Sequence, residues 1–223
     1  MRKGLYLILC LLFSVTSVAA ADGAAYLGLT PEELYGQWGE PEYIRVVEYG
    51  PIQKYAYFSP LEWERIADLA PLAQGDDVYL KSGPIPLQYH FTYVPIFTPG
   101  SRFSPQYRVG EYTIYPEGRL TIADVVAYVP EGKDLGDQEN QAYFHSFGGS
   151  YPPAVIIQEK REELSGWRRF RERGELALLW EIGLRDQLTP QELTGDTVVS
   201  YITVRVAPLE RHYAGAVSIA NPF

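Results

Sequence analysis

The sequence predicts an α+β protein, with short helices packed on a mainly antiparallel, tyrosine-rich β-sheet. Three observations predict it. Capping boxes open three short segments, at Thr30-Pro31-Glu32-Glu33, Ser59-Pro60-Leu61-Glu62 and Thr189-Pro190-Gln191-Glu192. Runs of aromatic and β-branched residues, bounded by Gly and Pro, fill most of the remaining chain. The 223 residues include 18 tyrosines, few of them in helical patterns, and tyrosine favours half-buried strands.

The N-terminus reads as an export signal. Arg2 and Lys3 precede the apolar run Leu5 to Phe13, and Ser17-Val18-Ala19-Ala20-Ala21 offers small residues for cleavage. The run falls short of the roughly 20 apolar residues that span a bilayer. Residues 1–21 are therefore expected to be removed, and no transmembrane helix is expected afterwards. Cys10, the only cysteine, lies inside this segment, and Leu9 stands where a lipidation motif needs a small residue. The mature chain then has no thiol, which excludes disulfides, thiol chemistry and cysteine-built metal sites.

Residues 22–75 read as a helix, a hairpin and a second helix. Thr30 caps the first, Leu34 and Trp38 share a face four residues apart, Gly39 can close it and Pro41 forbids its return. Tyr43 to Tyr49 and Ile52 to Phe58 are strand-like around a Gly50-Pro51 turn. Trp63, Ile66, Ala67 and Ala70 form one helical stripe.

Residues 76–223 read as β-rich, forming a separate region or continuing the first. Asp76-Asp77 reads as a turn. Leu87 to Phe97, Tyr107 to Tyr115, Ala154 to Gln158, Leu176 to Ile182 and Val198 to Val206 read as strands. Leu120 to Val129 fits a helical stripe capped by Thr121, but its β-branched content favours a strand. Pro130 to Gln141 is polar and reads as a surface loop, the best place for a subdomain boundary.

The chain carries 19 Lys+Arg against 28 Asp+Glu, a net charge of −9. Loss of Arg2 and Lys3 takes this to about −11, the wrong sign for a general nucleic-acid binder.

Gly28-Leu29-Thr30-Pro31-Glu32-Glu33-Leu34, then Trp38-Gly39-Glu40-Pro41-Glu42, then a hairpin, resembles the start of the SmpA/OmlA family, small outer-membrane lipoproteins of the BamE type. The resemblance spans about residues 28–58. It implies two helices against a three-stranded antiparallel sheet, and a structural role in the bacterial envelope by docking to partners, without catalysis. The lipidated cysteine of that family has no counterpart here.

Chemistry-bearing residues are sparse. His90 alternates with aromatics and reads as a packed strand histidine. His145 sits in Tyr143-Phe144-His145-Ser146-Phe147-Gly148-Gly149-Ser150, which reads as a turn; a Ser/His site there lacks a nucleophile elbow. Asp134, Asp137, Glu139 and Asn140 lack the spacing of a calcium loop and read as a solvated acidic loop. Arg169, Arg171 and Arg173 share a face if extended. With Trp167, the most promising sugar-stacking or contact tryptophan, they make a candidate patch for an anionic surface or acidic partner. Trp167, Arg169, Arg171, Arg173 and His145 are thus the candidate binding residues, with no catalytic residue, metal or cofactor expected.

The expected function is that of an exported, non-catalytic envelope protein that docks to a protein partner. The alternative is a secreted carbohydrate-binding or carbohydrate-cleaving protein. An aromatic cleft with two acids at glycosidase spacing would favour the alternative, and an exposed apolar patch without a cleft would favour docking.

Overall fold

Eleven strands join in one antiparallel sheet in the computed structural model, which describes residues 24–48, 54–61, 75–96, 106–136, 140–148, 151–160, 175–209 and 215–223. The strands are β1 (Tyr43–Glu48), β2 (Lys54–Phe58), β3 (Gly75–Lys81), β4 (Leu87–Ile96), β5 (Gln106–Pro116), β6 (Leu120–Thr121), β7 (Gln141–His145), β8 (Ala154–Lys160), β9 (Leu176–Leu184), β10 (Val198–Pro208) and β11 (Ala216–Ile219). Their order is β11-β7-β8-β9-β10-β5-β4-β3-β1-β2, with short β6 paired to β10. Two short α-helices, α1 (Pro31–Trp38) and α2 (Ile122–Tyr128), and two 3-10 helices, Pro130–Gly136 and Pro190–Glu192, complete the regular structure among the described residues. The class is therefore α+β as expected, and more sheet-dominated than the sequence implies. The β1–β2 hairpin does not stand apart: β1 pairs with β3, so one sheet runs through both sequence regions.

Alternation along the strands gives the sheet two unlike faces. One face, called inner here, buries Tyr79, Tyr89, Phe91, Ile114, Trp180, Ile182, Ile202 and Val204 in a single core under α1, α2 and residues 24–29. The other, outer face carries a continuous cross-strand row of Tyr57, Arg45, Asp76, Thr92, Glu111, Arg205, Leu179, Gln158 and Gln141. A small apolar patch of Tyr143, Ile156, Leu179 and Ala207 lies on that side too.

Helix α1 forms as its sequence dictates. Thr30 Oγ1 accepts the Glu33 N–H at 3.2 Å, and the Glu33 carboxylate accepts the Thr30 N–H at 2.8 Å. Gly39 ends the helix at φ 81°, a conformation that favours glycine, and gives its N–H to the Tyr35 carbonyl at 2.8 Å. Leu34 is buried and Trp38 packs on the core. Replacing Thr30 by alanine removes the reciprocal cap and is expected to cost about 1 kcal/mol in denaturant melts.

Four sequence expectations need correction. Leu120 to Val129 is a strand only for two residues and then becomes α2. Thr121 and Asp124 bond each other across the first turn, and Ile122, Val125 and Val129 bury the helical stripe, which outweighs β-branched propensity. Pro130–Gly136 is a 3-10 helix folded against α2 with Glu131 and Leu135 buried, so this part of the stretch is not the solvated loop its polarity implies. Asp76 and Asp77 lie inside β3. Asp76 pairs with Arg45 across the β1–β3 ladder, with Arg45 Nε 3.0 Å away, and Asp77 faces the core. His145 ends strand β7, and the positive φ of the turn belongs to Gly148 at 72°. The second predicted helix beyond Leu61, and Asp137 and Glu139 of the acidic loop, lie outside the described residues.

Candidate functional site

A cleft of about 430 Å³ opens on the outer face where β8, β9 and β10 meet the chain between β7 and β8, within the size range of ligand sites. Phe147, Tyr151, Pro152, Glu181, Leu184, Ser200 and Tyr201 line it. Its floor depends on a bulge. Val199 pairs with Leu184 and Tyr201 with Gly183, leaving Ser200 as the extra residue of β10. The Ser200 hydroxyl donates to the Gly183 and Leu184 carbonyls, each at 3.1 Å, which ties the bulge down.

Glycine at 183 is needed because the Tyr201 ring lies across its backbone. A Cβ there would come within 2.0 Å of the ring. Tyr201 then reaches Glu181 and donates its hydroxyl to Oε1 at 2.8 Å, while Arg205 Nη2 stands 3.9 Å from Oε2. Burial, then the charge of Glu181, holds the Tyr201 phenol well above its ordinary range, so the donor stays protonated. The carboxylate is thus held by a phenol and a guanidinium at the bottom of an aromatic-walled cleft.

The walls are unusually bare. Tyr151 is 74% exposed and Phe147 43% exposed, the first among the most exposed large apolar side chains of the described residues. His145 packs against Phe147, the rings tilted by 50° with centroids 4.4 Å apart. The histidine singled out from the sequence therefore stands at the cleft's edge, as support for an aromatic wall. The aromatic file continues away from the cleft: Tyr115 lies 6.4 Å from Tyr201, His90 lies 4.9 Å from Tyr115, and Tyr57 lies 6.4 Å from His90.

No family model, curated protein or solved structure matches the chain. The reading of the site rests on its geometry.

Trp167, Arg169, Arg171 and Arg173 lie outside the described residues. Their segment joins the ends of β8 and β9 marked by Lys160 and Glu175, whose side chains pair at 2.7 Å. Among the described residues, no three His, Asp, Glu or Cys side chains gather as metal ligands, and no helix is long and apolar enough to cross a membrane.

Sequence reasoning missed most of the cleft. Tyr151, Glu181 and Tyr201 come from three separate strands or loops, and only the topology brings them together. The local signal that was available is Tyr151-Pro152-Pro153, an aromatic held on a stiff connection directly before a strand.

A second polar group is buried on the inner face. Glu131 is fully buried, and its two oxygens accept the hydroxyls of Tyr26 at 3.1 Å and Tyr89 at 3.0 Å. Burial first, and Glu131 second, holds both phenols well above their ordinary range. Asp77, also buried, accepts hydrogen bonds from Tyr93 and Tyr35. Burial drives its carboxyl up to about 6 against the lowering effect of those two donors.

Proposed function

We propose that this protein acts in the bacterial envelope as an exported, non-catalytic binding protein that docks a protein partner through the cleft between Tyr151 and Tyr201. One observation carries the reading: Phe147 and Tyr151 are exposed beside a shaped cavity. Exposed aromatics of this kind serve as rigid anchors at interfaces, because they offer large contact area for little lost freedom. The polar groups of the cleft are already engaged: Ser200 by two carbonyls, Glu181 by Tyr201 and Arg205. They suit orientation of a ligand better than proton transfer. The envelope assignment rests on the signal-like N-terminus and on the resemblance of residues 28–58 to the SmpA/OmlA family.

Carbohydrate binding is the second reading, favoured by the combination of aromatic walls with a carboxylate. Cleavage is not part of it, because glycoside hydrolysis commonly uses two carboxylates across the bond and Glu181 is the one carboxylate among the described lining residues.

Photo-crosslinking in the native cell separates the two. A photoreactive residue at Tyr151 or Phe147 is expected to capture one discrete protein, while the same residue at exposed Tyr57, at the far edge of the sheet, captures none. Identical patterns from all three positions would remove the cleft from the proposal. Saturable binding to a glycan array, lost in Tyr151→Ala, would decide for carbohydrate.

A further inference from the structure

The mouth of the inner face forms a second cavity, of about 350 Å³, lined by Tyr26, Gln37, Trp38, Glu42, Tyr79, Leu80 and Lys81. Its back wall is an aromatic cluster centred on Trp38. Tyr26, Tyr79, Tyr89 and Phe91 lie edge-on to the indole at centroid distances of 5.3, 5.3, 4.9 and 5.4 Å. A cation already stands on this wall: Lys81 Nζ lies 5.1 Å from the Trp38 ring centre and 5.7 Å from that of Tyr89. Lys81 is the last residue of β3 and is exposed, so its long side chain can leave without disturbing the ladder.

The electrostatics behind the wall favour positive charge. Tyr26 and Tyr89 both donate hydroxyl hydrogen bonds to Glu131, and donation to a carboxylate draws electron density back into the phenol rings. Their π-faces are therefore better partners for a cation than free phenols. The carboxylates themselves are occupied. Glu131 accepts two phenols, and a Glu42 oxygen accepts the Leu80 N–H at 3.1 Å. A quaternary ammonium needs only π-faces and a negative field, and this wall offers both.

From this arrangement we infer that the cavity is a binding site for a quaternary ammonium group, with the Lys81 side chain as a built-in competitor that must swing out before the ligand enters. The site lies on the opposite face from the docking cleft and does not depend on it.

The test titrates the full-length purified protein and its Lys81→Ala variant with choline and with the neutral isostere 3,3-dimethylbutan-1-ol, following tryptophan fluorescence and the ligand methyl proton signals. Choline is expected to bind both proteins saturably, about tenfold more tightly in Lys81→Ala, because removing the competitor returns an interaction worth about 1.4 kcal/mol. The neutral isostere is expected to bind at least tenfold more weakly than choline. Sedimentation with phosphatidylcholine or phosphatidylglycerol vesicles distinguishes the source. Selective sedimentation with phosphatidylcholine assigns a lipid headgroup, and choline binding without it assigns a free solute; both support the site. No saturable binding in Lys81→Ala, equal affinity in the two proteins, or equal affinity for the neutral isostere would each overturn the proposal.

Discussion

Replacing Trp38 by alanine is expected to destabilise the protein by about 3–5 kcal/mol, the largest effect of any single side chain on α1. The magnitude follows from its neighbours. The indole touches four rings of the inner face at centroid distances of 4.9 to 5.4 Å, and these rings come from residues 24–29, β3 and β4. The surrounding strands are fixed by their ladders and cannot collapse into the space, so the cavity would persist. Aromatic pairs add to the area lost, because edge-on contacts between rings contribute beyond burial. The competing possibility is that Trp38 serves mainly as a partner anchor, and then the alanine variant would be as stable as the wild type and deficient only in binding. Urea denaturation of Trp38→Ala beside Thr30→Ala decides between them. A loss for Trp38→Ala several times that for Thr30→Ala establishes the packed role, and equal stability to wild type refutes it.

The parts of the fold legible in the sequence are those stabilised locally. The Thr30 cap, the Gly39 stop and the long aromatic strands Leu87–Ile96, Gln106–Pro116 and Val198–Pro208 all carry their reasons within a few residues. The misread parts depend on distant partners. Asp76 and Asp77 are poor strand residues, yet Arg45 lies across from one, and hydroxyls from α1 and β4 satisfy the other. Strand β7 is five residues long and runs straight into Ser146-Phe147-Gly148, so its turn signals mask its pairing with β8 and β11. Glu131 sits in a stretch whose polarity marks it as loop, and Tyr26 and Tyr89, 105 and 42 residues away, make its burial tolerable.

The same contrast governs the candidate sites. Trp38 was visible as a core residue because its helix is short, capped and amphipathic. Its π-face toward Lys81 was not, because a residue at the end of β3 and one at the end of α1 meet only through the β1–β3 pairing. His145 stands out in the sequence by its company of glycines, whereas in the fold its ring packs against Phe147, two residues on. Tyr201 on Gly183 is a cross-strand contact that no single window of sequence contains.

Acid is expected to weaken the fold through His90, and His90→Phe is expected to remove that weakness. The imidazole is 2% exposed on β4, and neither ring nitrogen has a hydrogen-bond partner among the described residues. Tyr115 on β5 and Tyr57 on β2 pack against it, and burial, then the Arg45 guanidinium on β1, push its pKa down to about 3. Asp76 on β3 is engaged with Arg45. The folded protein therefore keeps this ring neutral where the unfolded chain, with a histidine pKa of about 6.5, takes up a proton. Stability from this group is complete above pH 6.5 and is lost as pH falls from 6.5 toward 3, on the order of 5 kcal/mol in all. Asp77 works in the opposite direction. Its folded pKa of about 6 lies above the unfolded value of 3.8, so the folded state binds the proton first and gains as pH falls from 6 to 4. The two groups partly cancel in the wild type, which is why the variants are informative. His90→Phe removes a buried group that must not be charged, so its stability relative to wild type is expected to rise by roughly 3 kcal/mol between pH 7 and pH 4. Asp77→Asn removes the acid gain and is expected to leave a protein more acid-labile than wild type. Denaturant melts of the three proteins at pH 7, 5.5 and 4 check this. A wild type and His90→Phe pair whose difference in stability does not change with pH would show that His90 is not the acid-sensitive group.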